Sequence, residues 1–193
     1  MEYLVTMVTR VPDGTSEQEV DDVRAREAAN TARLVTRGKM LRLWRPPLGP
    51  GEWRSIGVFT AGDADELETT LAGMPLRVWR TDSATPLGEH PNDPGPGTVK
   101  VRPDWTEYLV TLDVGEPDDD EVFEREAERA RELAAQGHLE RLWRLGERRF
   151  AGVWQAADPA ELDEILRALP LAKWLTIDTV PLTRHPSDPE ETR

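Results

Sequence analysis

The sequence predicts an α+β protein made of two copies of one β-α-β-β-α-β unit. Three observations point there. First, the chain repeats itself. EYLVT at Glu2–Thr6 returns at Glu107–Thr111, and RLWR at Arg42–Arg45 returns at Arg141–Arg144. Met74-Pro75-Leu76 is matched by Leu169-Pro170-Leu171, and His90-Pro91-x-Asp93-Pro94 by His185-Pro186-x-Asp188-Pro189. Second, within each copy a strand-like alternation of side chains gives way twice to a helical period. Third, a sheet with helices on only one face has to cover the other, and a second linked copy can do so. The copies span residues 1–94 and 105–193, with a Pro- and Gly-rich linker at 95–104. A unit of roughly 90 residues is a small domain rather than a solenoid repeat.

Each copy opens on alternation. Tyr3, Val5 and Met7 interleave with Leu4, Thr6 and Val8, and Tyr108, Val110 and Leu112 interleave with Leu109, Thr111 and Asp113. This is the first strand. A long helix follows. Ser16-x-x-Glu19 is a capping box, with Asp118-x-x-Glu121 as its second version. Gly38 and Gly137 end these helices, because glycine accepts the left-handed cap conformation. Second strands are expected at Met40–Arg45 and Leu139–Arg144, and third strands at Trp53–Thr60 and Arg149–Gln155. Second helices start at the acidic caps Asp63 and Asp158 and end before Pro75 and Pro170. Fourth strands are expected from Leu76–Thr81 and Leu171–Thr176 onward to the His-Pro turns. The order is the split βαβ, ferredoxin-like pattern, and two such repeats are expected to form an intramolecular dimeric α+β barrel. The C-terminal PSDPEETR is expected to fray.

Composition narrows the function. The net charge of −13 repels phosphate backbones, so no nucleic-acid partner is expected. No apolar run is long enough to span a bilayer, and the N-terminus lacks the pattern of a signal peptide, so a cytoplasmic protein without a membrane partner is expected. Cysteine is absent, which removes disulfides, thiol catalysis and thiolate-bound metals together. Three scattered histidines leave a structural metal site without ligands, so no metal is expected.

One residue in each copy breaks the hydrophobic pattern. Val20, Val23, Thr31 and Leu34 form the apolar row of the first helix, and Glu27 falls within it. In the second copy Val122, Phe123, Ala130 and Leu133 form the row, and Glu126 falls within it. Both glutamates stand eleven positions before the capping glycine. Burial raises a carboxyl pKa toward neutrality, as a general acid or base requires. The alternatives are a buried ion pair, with Arg45 or Arg144 as the partner, or a side chain that reaches out to the rim.

Other recurrent residues complete the candidate set. Alternation sets Trp44 and Trp143 on the opposite strand face from Arg45 and Arg144. The arginines could bind a carboxylate or steady an enolate, or form structural salt bridges. The tryptophans could face a substrate or fill the core. His90 and His185 could shuttle protons or serve as structural corners. Thr6 and Thr111 could donate hydrogen bonds to a ligand.

The unit resembles muconolactone isomerase over essentially the whole of each copy. The residues that carry the resemblance are the opening strand, the helical Glu eleven before Gly, Leu43-Trp44-Arg45 and Leu142-Trp143-Arg144, the Pro-Leu after the second helix, and the closing His-Pro. The resemblance implies a fold that pairs into α+β barrels and assembles into homo-oligomers, and chemistry without cofactor or metal. It also implies a bacterial isomerase of aromatic catabolism. Glu27 and Glu126 would be bases, and Arg45 and Arg144 would hold a carboxylate or dienolate. The chain departs from the family at Thr6 and Thr111, where the family has Lys, and at Arg42 and Arg141, where it has His. It also fuses two units.

The expected function is therefore a cofactor-free isomerase that shifts a proton in a small-molecule lactone or enolisable carbonyl. Two readings compete with it. One is a natural-product cyclase or other tailoring enzyme of secondary metabolism on the same scaffold, which calls for a larger, more apolar cavity. The other is a non-catalytic small-molecule binding module, in which each helical Glu is fully ion-paired.

Overall fold

A computed structural model describes residues 1–118 and 121–190. Among the described residues the protein is α+β, with eight antiparallel strands and four α-helices in two β-α-β-β-α-β repeats, as the sequence predicts. The first repeat runs β1 (Glu2–Thr9), α1 (Glu17–Thr36), β2 (Met40–Arg45), β3 (Trp53–Thr60), α2 (Ala64–Ala72) and β4 (Arg80–Glu89). The second runs β5 (Thr106–Val114), α3 (Glu121–Gln136), β6 (Leu139–Arg144), β7 (Arg149–Ala156), α4 (Pro159–Arg167) and β8 (Leu175–Arg184).

The helix signals act as read. The Ser16 hydroxyl accepts from the Glu19 amide at 3.2 Å. Asp63 accepts from the Glu66 amide, and Asp158 accepts from the amides of Ala160 and Glu161. Gly38 and Gly137 stand at φ 65° and 91°, where a Cβ would be strained. The expected cap between Asp118 and Glu121 lies outside the described residues. Phe123 is a correction: it stands 47% exposed instead of packing in the apolar row.

The fourth strands also begin later than expected. Pro75–Trp79 and Ala172–Trp174 are 3₁₀ turns, and β4 and β8 start only at Arg80 and Leu175. The turn after α2 buries Leu76 and frees its amide for a side-chain acceptor. That amide becomes part of the candidate site.

Compact units do not follow the repeat boundaries. One unit is Met1–Leu87 together with residues 183–193, and the other is Gly88–Leu182. In the first, the sheet order is β4-β1-β3-β2, and Thr183 and Arg184 pair with Arg45 and Trp44. In the second the order is β8-β5-β7-β6, and Gly88 and Glu89 pair with Arg144 and Trp143. Each unit therefore takes its His-Pro segment from the other repeat's C-terminal end. Asp188 shows what holds the segment. Its carboxylate is fully buried, lies 3.3 Å from Arg42 Nε, and accepts from the amide of Leu43. Asp93 does the same in the second unit, with Arg141 and the amide of Leu142. As far as residue 190 the C-terminal segment is thus anchored through Asp188 rather than frayed, and the rest of it lies outside the described residues.

Each unit has its own core. Tyr3, Val5, Met7, Leu43, Phe59, Leu67 and Leu71 pack in the first, and Val110, Leu133, Leu139, Trp154, Leu162 and Leu166 in the second. Register shifts between Met40 and Arg42, and between Leu139 and Arg141, put an extra residue into β2 and β6. The shift changes strand parity, so Met40, Leu43 and Arg45 share one face. Gly152 lies across from the second shift, where a Cβ would come within 2.9 Å of the Arg141 carbonyl.

Candidate functional site

In each unit the first helix, the 3₁₀ turn and the second strand enclose a cavity. The second unit's is about 410 Å³ and is walled mainly by apolar side chains, among them Leu112, Ala130, Leu142, Phe150, Trp154 and Leu175. Its charged and polar groups are Glu126, Arg144, His90, Glu147 and Asn92. Phe123, the exposed aromatic of α3, also lines it. The first unit's cavity is about 270 Å³ and more polar. Glu27, Arg45, His185, Arg80, Arg24, Thr9 and Ser55 line it.

Both helical glutamates therefore face a cavity together with an arginine and a histidine of the predicted set. Trp44, Trp143, Thr6 and Thr111 do not line either cavity. Strand alternation turns the tryptophans to the face opposite Leu43, Arg45, Leu142 and Arg144. There Arg42 stacks on Trp44 at 4.5 Å from the ring centre, and Arg141 on Trp143 at 4.6 Å. Thr6 and Thr111 lie across β1 and β5 from the cavity residues Met7 and Leu112.

The two glutamates share one hydrogen bond and differ in the rest. Glu27 accepts from the amide of Leu76 at 2.9 Å, and Glu126 from the amide of Leu171 at 3.0 Å. Each amide belongs to the turn that follows the second helix. Glu27 also accepts from Arg80 Nη1 at 2.9 Å. Arg80 is itself bound to Asp82 through Nε at 2.6 Å, and Asp82 takes a further bond from Arg77. The ion pair weighed from sequence exists in the first repeat, but its partner is Arg80, not Arg45. At the position equivalent to Arg80, five residues beyond the Pro of Met-Pro-Leu or Leu-Pro-Leu, the second repeat has Leu175. Glu126 thus has an apolar neighbour where Glu27 has a guanidinium. Burial pushes the Glu126 carboxyl above the usual range, opposed by the Leu171 amide and by Arg129.

The histidines are set by their own turns. His185 Nδ1 accepts from the Ser187 amide, and His90 Nδ1 from the Asn92 amide, each at 3.1 Å. An accepting Nδ1 leaves the neutral ring's proton on Nε2. Burial and the neighbouring Arg45 push the His185 pKa down to about 4. Burial and Arg144 lower that of His90. His185 Nε2 lies 3.3 Å from Arg45 Nη2. A neutral Nε2–H beside a guanidinium gives two donors that can share one anionic oxygen.

A pH dependence follows. His185 is protonated below about 6.5 when the chain is unfolded but only near 4 when folded. A depressed pKa costs stability as pH falls, because the unfolded state takes up the proton first. Stability should therefore decline from about pH 6.5 toward about 4. In His185→Gln that part of the decline should be missing, as read by urea unfolding at stepped pH. Parallel wild-type and variant curves would contradict it.

Sequence reasoning missed Arg80 and the two turn amides. Arg80 does not recur in the second repeat, so the internal comparison passed over it. The amides belong to turns read as strand. His138 stacks on Trp105 at 4.7 Å and lines neither cavity.

A family profile described as Muconolactone delta-isomerase matches residues 1–93 and 106–188. The Muconolactone Delta-isomerase of Cupriavidus pinatubonensis is 37% identical over 92 residues, covering 48% of this chain and 97% of that protein. That of Rhodococcus opacus is 34% identical over 88 residues, covering 42% of this chain and 95% of that protein. Each relative thus corresponds to about one repeat. Among solved structures, a chlorite dismutase from Candidatus Nitrospira defluvii aligns with a TM-score of 0.57 at 12% identity, covering 94% of this chain and 91% of its own. A heme-binding protein from Thermus thermophilus aligns with a TM-score of 0.55 at 12% identity, covering 99% and 93%. At such identities these structures show a shared fold only. The profile spans both repeats, and on that ground the chain belongs to the muconolactone delta-isomerase family.

Proposed function

We propose that the second repeat isomerises a small unsaturated lactone by moving one proton, with Glu126 as the base. The observation that carries this reading is the state of Glu126. It faces a ligand-sized apolar cavity, is held by one backbone amide, has Leu175 where the first repeat places an arginine, and titrates above its usual range. A carboxylate in that setting is oriented and has a basicity nearer neutral pH.

The chemistry follows from the substrate class. In an α,β-unsaturated lactone the acidic proton is on the γ carbon. Glu126 removes it, the electrons move onto the carbonyl oxygen as a dienolate, and the protonated Glu126, after exchanging with solvent, delivers a proton to the α carbon. The double bond shifts and nothing else is gained or lost. Arg144 and His90, which line the same cavity, would hold the developing oxyanion or a substrate carboxylate.

Two features weigh against the competing readings. A cavity of about 410 Å³ suits a compact lactone better than a polyketide-sized ligand. A pure binding module would have both glutamates ion-paired, and among the described residues only Glu27 is. The test is incubation with muconolactone in D2O, followed by NMR. Deuterium entering the ring with migration of the double bond is the expected result. A substrate recovered unlabelled and unmoved would overturn the proposal.

A further inference from the structure

The two repeats have the same ancestry but present different charge to their cavities. Three arginines (Arg24, Arg45 and Arg80) and one glutamate line the first cavity, whereas one arginine and two glutamates line the second. In the first, both oxygens of Glu27 are engaged, one by the Arg80 guanidinium and one by the Leu76 amide. Arg80 is 2% exposed in its side chain and is tied down by Asp82. Proton uptake by the Glu27 carboxylate would cost it the buried ion pair with Arg80. Arg45, by contrast, has no carboxylate partner among the described residues. Its guanidinium lies beside His185 Nε2, with Arg24 at the same cavity and stacked over Trp53.

We propose that the first repeat's cavity is a binding site for a small organic carboxylate and carries out no proton transfer. Arg45 and His185 Nε2–H hold the anion, Arg24 adds charge at the cavity wall, and Trp53 covers it. The Glu27–Arg80–Asp82 network, with Arg77 on Asp82, replaces the free base with an ion-paired wall. The chain then has one site that reacts and one that only binds, and the anion held there is a substrate, a product or another small acid of the same class. The division of labour rests on the reading of Glu126 as base, but the carboxylate site stands on the first unit's geometry alone.

The probe is adipate, a saturated dicarboxylate that has no double bond to move. Binding to the full chain is followed through the indole N–H resonance of Trp53, identified by its loss in Trp53→Phe. Wild type should shift this resonance saturably. Arg45→Gln should weaken the binding at least tenfold while the thermal unfolding curve stays near wild type, since Arg45 gives up no ion pair. Arg144→Gln, in the other repeat, should leave the Trp53 titration unchanged. An unshifted Trp53 resonance, or equal affinity in wild type and Arg45→Gln, overturns the carboxylate site whatever becomes of Glu126. Deuterium exchange on muconolactone gives the other arm. Exchange lost in Glu126→Gln and kept in Glu27→Gln supports the division. Exchange kept in Glu126→Gln and lost in Glu27→Gln would assign the chemistry to the first repeat, ending both the binding-only assignment and the reading of Glu126.

Discussion

Glu126→Gln is expected to lower proton exchange on muconolactone by about 10²–10⁴-fold, the usual contribution of a positioned general base. The amide keeps the size of the carboxyl and can still accept from the Leu171 amide, so the cavity should persist and KM should change less than kcat. The pH profile carries the sign. The base must be ionised, and burial holds its pKa above that of an ordinary carboxyl. The acid limb of the wild-type rate should therefore lie above the pH at which an ordinary glutamate titrates. Stability should move the opposite way. A group whose pKa is raised by folding stabilises the fold while protonated, and that contribution disappears as pH rises through the raised value. Glu126→Gln should then be more stable than wild type above that pH and lose the advantage in acid. A variant that exchanges deuterium at the wild-type rate would remove Glu126 from the chemistry.

Glu27→Ala is expected to destabilise the protein by about 3–5 kcal/mol, the usual cost of stripping one partner from a buried ion pair. Arg80 would keep its charge, at 2% side-chain exposure, with Asp82 as the one remaining carboxylate bound to it among the described residues. Arg80→Leu alone should also be costly, because Glu27 then keeps only the Leu76 amide. The double variant should cost less than the sum of the two, since an apolar replacement of a buried pair is often nearly neutral. Leu175 in the second repeat is the natural counterpart of Arg80→Leu alone, since Glu126 is kept there. Urea unfolding of the four proteins measures the coupling. Strict additivity, or a loss below about 1 kcal/mol for Glu27→Ala, would show that the pair is screened by water.

These two glutamates also show how far sequence reaches. Their place on the buried row of α1 and α3 was legible, because a 3.6-residue period fixes a helix face without knowledge of its neighbour. Arg45, Arg144, His90 and His185 were legible as recurrent polar residues at strand and turn positions, and all four line a cavity. Thr6, Thr111, Trp44 and Trp143 recur just as well but lie on the other face of their strands. Recurrence cannot distinguish a side chain kept for a ligand from one kept for packing.

By itself the sequence determined the duplication, the order of strands and helices, the caps at Ser16, Asp63 and Asp158, and the face on which each helical glutamate lies. All of these are set by local periods, turn chemistry and copying, which act over a few residues. Only the tertiary structure decided what each glutamate meets. Arg80 reaches Glu27 from 53 residues away, whereas Leu175 stands at the corresponding place beside the cavity of Glu126. The His-Pro segments are fastened through Asp93 and Asp188 to strands 48 and 146 residues distant in sequence. Partners this far apart are chosen by where the chain returns, and the energy of a buried charge depends on that choice.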